Sequence, residues 1–286
     1  MKSKYFYTHE KNKLHAYKKE RPPEIRIWSH PFTKAVERQA MLEKLQVCSQ
    51  FDMRYRGLFE FYSDDLAAYK RKKASGKYAT EFLRILAKHF TDNLEDNCPS
   101  SWKACQPQFW EELIHCTFPQ RMIISTKQKE TENFLRQLNR FVQWLDQSTG
   151  TNWGKLVQKY ADTAKPELIT CERLLNRLIS CDFPTIHQKN WDLREELVAI
   201  ETGYNQCTIT IDSIFQVDKV SNNVVTVTNL DTSWTYQLTE MPIRMIKPGM
   251  LLHGNIGKKS SDICWTWFVT KGVYPAKAKN YIVFVD

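Results

Sequence analysis

The spacing of apolar residues changes once along this 286-residue chain, close to Gly203. Before that point apolar side chains recur every three or four residues, which predicts amphipathic helices. After it they alternate with polar residues, which predicts strands. The pattern therefore predicts an α+β protein, in which an N-terminal multi-helix domain is followed by a small antiparallel β-barrel.

The helical part of the pattern is divided by glycine, proline and short polar stretches. Thr33 is a candidate N-cap for the first helix, and Ser125 with Gln128 has the spacing of a capping box. Pro166 is placed at the start of a helix, where proline is favoured. The predicted helices cover 34–50, 54–74, 77–95, 108–117, a segment that starts near Ser125 and stops before Gly150, and then 153–163, 166–179 and 190–202.

Six short strands are predicted after Gly203, with Asn222-Asn223 and 231–233 as turns between them. So many short strands in one small segment predict a barrel or a strongly bent sheet. The predicted domains are a basic aromatic arm at 1–31, a helical domain at 32–203 and a barrel domain at 204–286. The predicted strands are 208–214, 224–228, 233–238, 250–256, 264–270 and 281–285.

Two stretches of the predicted barrel resemble a known module. They are Val-Thr-Val-Thr-Asn-Leu-Asp at 225–231 and Ile-Lys-Pro-Gly-Met-Leu-Leu-His-Gly at 246–254. In order and separation they are similar to the C-terminal β module of uncharacterised bacterial helical-plus-barrel proteins, some of which carry an SEC-C zinc motif. The chain departs from that pattern at Asn229 and Asn255, and it lacks the SEC-C cysteines. The resemblance supports the barrel and a bacterial source, and it implies no activity.

Composition narrows the class of protein. The chain is 42% apolar and 26% charged, as in ordinary globular proteins, which argues against wholesale disorder. Neither a phosphate-binding glycine loop nor a G-x-S-x-G nucleophile elbow is present. No apolar run approaches the ~18 residues of a membrane span, and no signal peptide is visible, so we expect a cytoplasmic protein without a membrane partner.

The positive charge is concentrated near the N-terminus. The whole chain carries a formal charge of +9, and residues 1–100, with 20 basic and 13 acidic side chains, carry +7. In the arm, basic residues alternate with aromatic ones, a mixture that suits phosphate pairing and base stacking. Alternatively, the aromatic rings of the arm pack on the helices. The other basic cluster, at 70–77, is then the solvated end of a helix. The candidate phosphate-contacting residues are Lys18, Lys19 and Arg21 in the arm and Lys70, Arg71, Lys72, Lys73 and Lys77 in the helical domain.

Aromatic residues of the predicted barrel give a second candidate surface. Trp265 and Trp267 share one face of a strand, and Lys271 lies just beyond them. If exposed, the two rings form a stacking platform like that of OB-folds. If buried, they form the core of a small domain.

Several side chains have types that suit metal binding or acid–base chemistry. His89, Cys98, Cys105, His115 and Cys116 lie within one short segment, but their spacing matches no standard zinc finger. Glu111 and His115 share a helix face, and paired acids occur at 64–65, 111–112 and 195–196. Core thiols and solvated helix faces are the favoured interpretation of these residues, so the sequence predicts neither a metal nor another cofactor.

Three functional hypotheses follow from these observations. The first is a non-enzymatic binding protein that contacts nucleic acid through its basic N-terminal half. The second is a protein-interaction adaptor that holds a partner, for instance an acidic one, on its C-terminal barrel. The third is a metal-dependent hydrolase or nuclease. Oligomeric state stays open.

Overall fold

The computed structural model describes residues 31–50, 62–73, 76–90 and 98–282. Within these ranges the chain is a mixed α/β protein, with eight α-helices followed by a five-stranded sheet. The predicted order of helices before strands is therefore confirmed, whereas all but the last residue of the predicted arm lies outside the described residues. The helices are α1 (Ala35–Gln50), α2 (Ser63–Lys73), α3 (Lys77–Lys88), α4 (Pro107–Glu112), α5 (Phe118–Gln120), α6 (Glu130–Thr149), α7 (Gly154–Asp182) and α8 (Leu193–Asn205).

The helical part is organised around α6 and α7. Along α6 the buried side chains recur at helical spacing, and the helix ends at Gly150, whose φ of 69° is the left-handed conformation that glycine adopts readily. The end before Gly150 is thus where the sequence predicts it. The buried stripe of α6 consists mainly of Phe134, Leu138, Phe141, Val142 and Leu145, and it packs on α7.

The sequence predicts two helices where the structure has one, since α7 is continuous for 29 residues with Pro166 inside it. Proline lacks an N–H donor and costs ~3 kcal/mol inside a helix. Ala161, Ala164 and Leu168 nevertheless form one unbroken buried stripe on both sides of Pro166, which is itself exposed. Packing of that stripe against the core opposes the local preference of proline, so the predicted break is wrong.

The strands are β1 (Ile209–Ser221), β2 (Val224–Asn229), β3 (Thr235–Thr239), β4 (Leu251–Lys258) and β5 (Trp265–Tyr274). The long first strand pairs with both β2 and β4, so the order β1-β2-β3-β5-β4 returns to its start. The sixth predicted strand does not begin at residue 281, which ends a 3-10 helix (Ala276–Tyr281), and residues 283–286 lie outside the described part.

One pair of strands contradicts the prediction of a fully antiparallel sheet. β3 and β5 pair in parallel, with Leu238 opposite Trp265, while the other four pairs are antiparallel. The reason is that the number of strands is odd. When five strands form a closed order, neighbouring strands cannot all run in opposite directions. At least one neighbouring pair must be parallel.

Two local features fix the sheet. Asn222 and Asn223 both have positive φ, 48° and 64°, and form the predicted tight turn between β1 and β2. At Gly254 a Cβ atom would lie 2.1 Å from the carbonyl oxygen of Val269, so only glycine permits the approach of β4 to β5.

The sheet packs directly on the helices. β5 lies against α7, and one cluster of buried apolar residues includes side chains of both parts, such as Leu175 from α7 and Val273 from β5. The backbone N–H of Thr270 in β5 donates to the Asp182 carboxylate at the end of α7 (2.8 Å). Among the helices described, none is long and apolar enough to cross a bilayer.

Candidate nucleic-acid interface

The basic run of the sequence forms the last turn of α2 and continues to the start of α3. Lys72 and Lys77 are exposed, and Arg71 is exposed while its guanidinium pairs with Glu43 of α1 (2.8 Å). Burial lowers the pKa of Lys70, the cation nearest the body of the helical part. The side chain of Lys73 is not described, and Lys18, Lys19 and Arg21 lie outside the described residues.

A groove with a volume of about 350 Å³ runs between the exposed sides of α6 and α7. Its floor includes the buried side chains of Leu135 and Ala161. Arg136 and Arg140, one helical turn apart on α6, line one wall, and Lys165 of α7 lines the other. Both helices therefore direct cationic side chains into the same depression.

Acidic side chains also line this groove, so its charge is only weakly positive. Glu132 lies on α6, and on α7 the Asp162 carboxylate accepts a hydrogen bond from the Gln158 amide (2.8 Å). Neither Arg140 nor Lys165 forms an ion pair with another of the described residues. The two cations are thus available to an anion from solution.

The last turns of α2 contact α6. The ring of Tyr69, in the last turns of α2, packs edge-on against Phe141 of α6 at 5.1 Å between centroids. Burial raises the pKa of Tyr69, and the nearby Arg140 guanidinium opposes that shift. Tyr69 immediately precedes Lys70, so the basic end of α2 is close in the chain to a residue that packs on α6. We call the groove lined by Arg136, Arg140 and Lys165 the cationic groove.

The two tryptophans predicted for base stacking lie against the core of the sheet. The Trp265 ring contacts Tyr236 at 5.0 Å and the Trp267 ring contacts Phe215 at 6.0 Å between centroids, both edge-on. The Trp267 indole N–H donates to the Thr270 hydroxyl (2.9 Å). Both rings are only partly buried, yet these contacts occupy surface that a stacked base would need. This geometry agrees with the alternative in which the two tryptophans belong to the core of a small domain.

Lys271 makes a contact within the sheet. Its ammonium group pairs with the carboxylate of Asp212 in β1. An anion that binds Lys271 must therefore compete with this carboxylate.

Each of the three acidic pairs includes carboxylates that make contacts inside the molecule. Asp64 pairs with Lys44 (2.8 Å), and Asp65 accepts from the Trp102 indole N–H (2.8 Å). Glu111 accepts from the Lys277 ammonium and from the Tyr281 hydroxyl, which joins α4 to the C-terminal 3-10 helix. Likewise Glu196 accepts from Thr185 and from the Trp191 indole. These carboxylates stabilise local structure and do not converge on a common site.

The histidine and cysteine cluster is a set of buried and partly buried, uncharged side chains. Burial lowers the pKa of His89 to about 3 and that of His115 to about 4. Burial raises the pKa of Cys105 and of Cys116 to about 12 and also raises that of Cys98, so the thiols stay protonated. In the part of the chain that the structure describes, no three His, Cys, Asp or Glu side chains are grouped to hold a metal ion.

Sequence reasoning missed Arg136, Arg140 and Lys165. The segment 101–205 carries 13 basic and 13 acidic residues, so its balance gives no sign of a cationic surface. The four-residue spacing of Arg136 and Arg140 places them on one helix face. That spacing is the only local signal. The proximity of Lys165 to the two arginines depends on how α6 packs on α7, which the sequence does not show.

Comparison of the chain with protein-family models, with curated proteins and with solved structures finds no match. The resemblance of residues 207–286 to a bacterial β module therefore stays a prediction, and the function rests on the geometry of this molecule alone.

Proposed function

We propose that the protein is a non-enzymatic binding protein whose cationic groove holds the phosphate backbone of a nucleic acid. The observation that carries the proposal is the convergence of Arg136, Arg140 and Lys165 on one groove. A phosphate backbone is a series of evenly spaced anions, and several cations supplied by two helices match it better than they match a single small anion.

The groove is suited to backbone contacts that carry no sequence information. Arginine binds a phosphate with two parallel N–H donors, and its guanidinium stays charged at every physiological pH. Glu132 and Asp162 also line the groove and lower its net positive charge. The weak net charge of the lining predicts modest affinity, with a salt dependence set by the few phosphates that the groove cations contact.

The sheet supports the same class of function. We propose that the cyclic sheet forms a small barrel of the OB type, on the basis of its five strands and of a long β1 that pairs at both ends of the order. OB barrels bind oligonucleotides and oligosaccharides. Of these two ligands the oligonucleotide is a polyanion, and the positive charge of the chain favours it.

The test is a charge reversal with a matched control. Arg136→Glu with Arg140→Glu reverses two groove cations one turn apart. Arg173→Glu with Arg177→Glu makes the same change at two exposed positions of α7 that do not line the groove. Binding of a fluorescein-labelled oligonucleotide, single-stranded or duplex, is measured by anisotropy between about 50 and 200 mM salt, the range in which phosphate contacts lose most affinity.

We expect the groove variant to lose most of its affinity and the control variant to lose little. The slope of log K against log salt should become shallower by about 1.4 to 1.8 in the groove variant, since each lost phosphate contact removes about 0.7 to 0.9. Equal losses in both variants would show that net charge, and not this groove, accounts for binding. The absence of binding by the wild-type protein at micromolar concentration and low salt would refute the proposed function.

A further inference from the structure

The most exposed apolar side chains of the sheet region lie at one end of the sheet. Trp234 is 70% exposed and Ile263 is 89% exposed. Trp234 lies immediately before β3 and Ile263 lies two residues before β5; the two strands run in parallel, with Trp265 opposite Leu238, so both loops approach the sheet from the same end. The rings of Tyr236 and Trp265 lie in contact behind them. We call the surface formed by Trp234 and Ile263 the aromatic rim.

The loop that carries Trp234 is held by a buried asparagine. The Asn229 side-chain oxygen accepts from the backbone N–H groups of Asp231 (2.8 Å) and Thr232 (3.3 Å) and from the Ser213 hydroxyl (3.0 Å). The backbone N–H of Asn229 also donates to the carbonyl of Trp234 (2.8 Å). The position of Trp234 is therefore specified by hydrogen bonds, although its indole gains little from burial.

The loop that carries Ile263 is fixed in a similar way. The carboxylate of Asp262 accepts from the backbone N–H of Lys259 (3.2 Å), and the ammonium of Lys259 donates to Gln206 (2.7 Å). A hydrogen bond between the Ser260 and Thr208 hydroxyls ties the loop to the start of β1 (2.7 Å). Both exposed apolar groups are thus presented on anchored loops.

The outward face of the adjacent strands is polar and nearly uncharged. Thr235 and Gln237 of β3 are exposed, and Thr228 of β2 lies beside Thr235, with 3.2 Å between their hydroxyls. Asp218, the acid on this face, accepts from the Thr228 hydroxyl (2.6 Å). Hydroxyl and amide groups of this kind donate to and accept from base edges and sugars, whereas an apolar peptide would leave them without partners.

We infer that the aromatic rim is a base-stacking site for single-stranded nucleic acid, with Trp234 as the stacking ring. The inference rests on the proposed function and adds a second site to the cationic groove. An exposed indole stacks on any base, whereas a duplex offers few free base faces because its bases are stacked on one another. The +9 charge of the chain, most of which lies in residues 1–100, attracts a polyanion to the molecule as a whole, and this favours a nucleotide chain over an uncharged glycan.

The experiment measures the affinity of labelled oligothymidylate of about 15 nucleotides, of oligouridylate of equal length and of a matched duplex. Trp234→Ala should weaken binding of both single strands about five- to 150-fold, which corresponds to one stacked base at 1–3 kcal/mol. Trp234→Phe keeps a ring and should retain most of the affinity, while Trp234→Leu keeps apolar bulk and should not. Val198→Ala, at an exposed apolar position of α8, is the matched control and should change nothing.

The outcomes separate this inference from the proposed function. If the wild-type protein binds single strands and Trp234→Ala binds them equally well, the rim assignment is overturned while the groove proposal stands. Equal losses with the single strands and the duplex would also overturn it, because duplex binding should depend on the groove alone. Binding of maltoheptaose without any binding of oligonucleotides would show that the rim takes a glycan, and would overturn both proposals. If Trp234→Ala loses its native circular dichroism, the Phe and Leu variants decide the question.

Discussion

Asp182 shows how one side chain can link stability to pH in this molecule. Its carboxylate lies at the end of α7 and accepts the backbone N–H of Thr270 in β5 (2.8 Å). Burial raises the pKa of Asp182 to about 6, although the hydrogen bond from Thr270 opposes the shift. The folded protein therefore holds a proton on Asp182 at pH values where the unfolded chain has released it. Ionisation of Asp182 lowers stability as pH rises from about 4 through 6.

We predict that Asp182→Asn removes this pH dependence. Asparagine keeps a carbonyl oxygen for the Thr270 N–H and carries no charge, so the variant should be at least as stable as the wild type at pH 7. The measurement is urea unfolding of both proteins between pH 4 and 7. Their difference in unfolding free energy should grow in favour of the variant as pH rises. A difference that stays constant across this range would contradict the raised pKa.

At the scale of elements, the start of α6 is stabilised by a side chain from another helix. The predicted helix start at Ser125 is wrong: the Gln128 N–H donates to the Ser125 hydroxyl (3.2 Å), but Gln128 has a φ of 47° and both residues lie in a turn before the helix. The helix itself begins at Glu130, where the buried carboxylate of Glu172 in α7 accepts the N–H groups of Glu130 (2.7 Å) and Thr131 (3.1 Å). A carboxylate at this position also interacts favourably with the helix dipole.

We predict that Glu172→Ala destabilises the protein by about 2–4 kcal/mol, because it leaves two N–H groups at a buried helix start without their acceptor. Glu201→Ala, at an exposed position of α8, is the control and should change stability by less than ~0.5 kcal/mol. Both values come from chemical unfolding followed by circular dichroism. A loss at Glu172 no larger than that at Glu201 would show that solvent replaces the carboxylate.

At the scale of the whole molecule, the helices and the sheet form one packing unit. A single buried cluster crosses between them, and Glu111 of α4 accepts from Lys277 and Tyr281 at the C-terminal end of the described chain. A further bond joins the Ala276 N–H to Glu167 of α7 (2.8 Å). Apolar burial and hydrogen bonds thus connect the two parts at several separate places.

We predict that the two parts unfold in one transition. Far-ultraviolet circular dichroism reports mainly the helices, and near-ultraviolet circular dichroism includes the packed Trp265 and Trp267 of the sheet. The two signals should give the same midpoint in thermal and urea unfolding. Separate midpoints would show that the interface contributes little and that the sheet is an independent folding unit.

Particular residues show how far the sequence alone reaches. Gly150 and the Asn222-Asn223 pair mark ends and turns correctly, since their effect depends on backbone conformation at the residue itself. Pro166 misleads because its local preference is opposed by packing along the whole of α7. For the candidate site, the basic run at 70–77 is visible as a charge cluster. The groove arginines are not visible in this way, because acidic residues of the same segment balance their positive charge.

The sequence by itself determined the order of helices and strands and the concentration of charge, because periodicity and composition depend on residues close together in the chain. Only the tertiary structure decided the parallel pairing of β3 with β5, the capping of α6 by Glu172 and the meeting of Arg136 with Lys165. Each of these joins residues that are distant in sequence. Such contacts depend on how whole elements pack, and the packing is selected by burial of the common core.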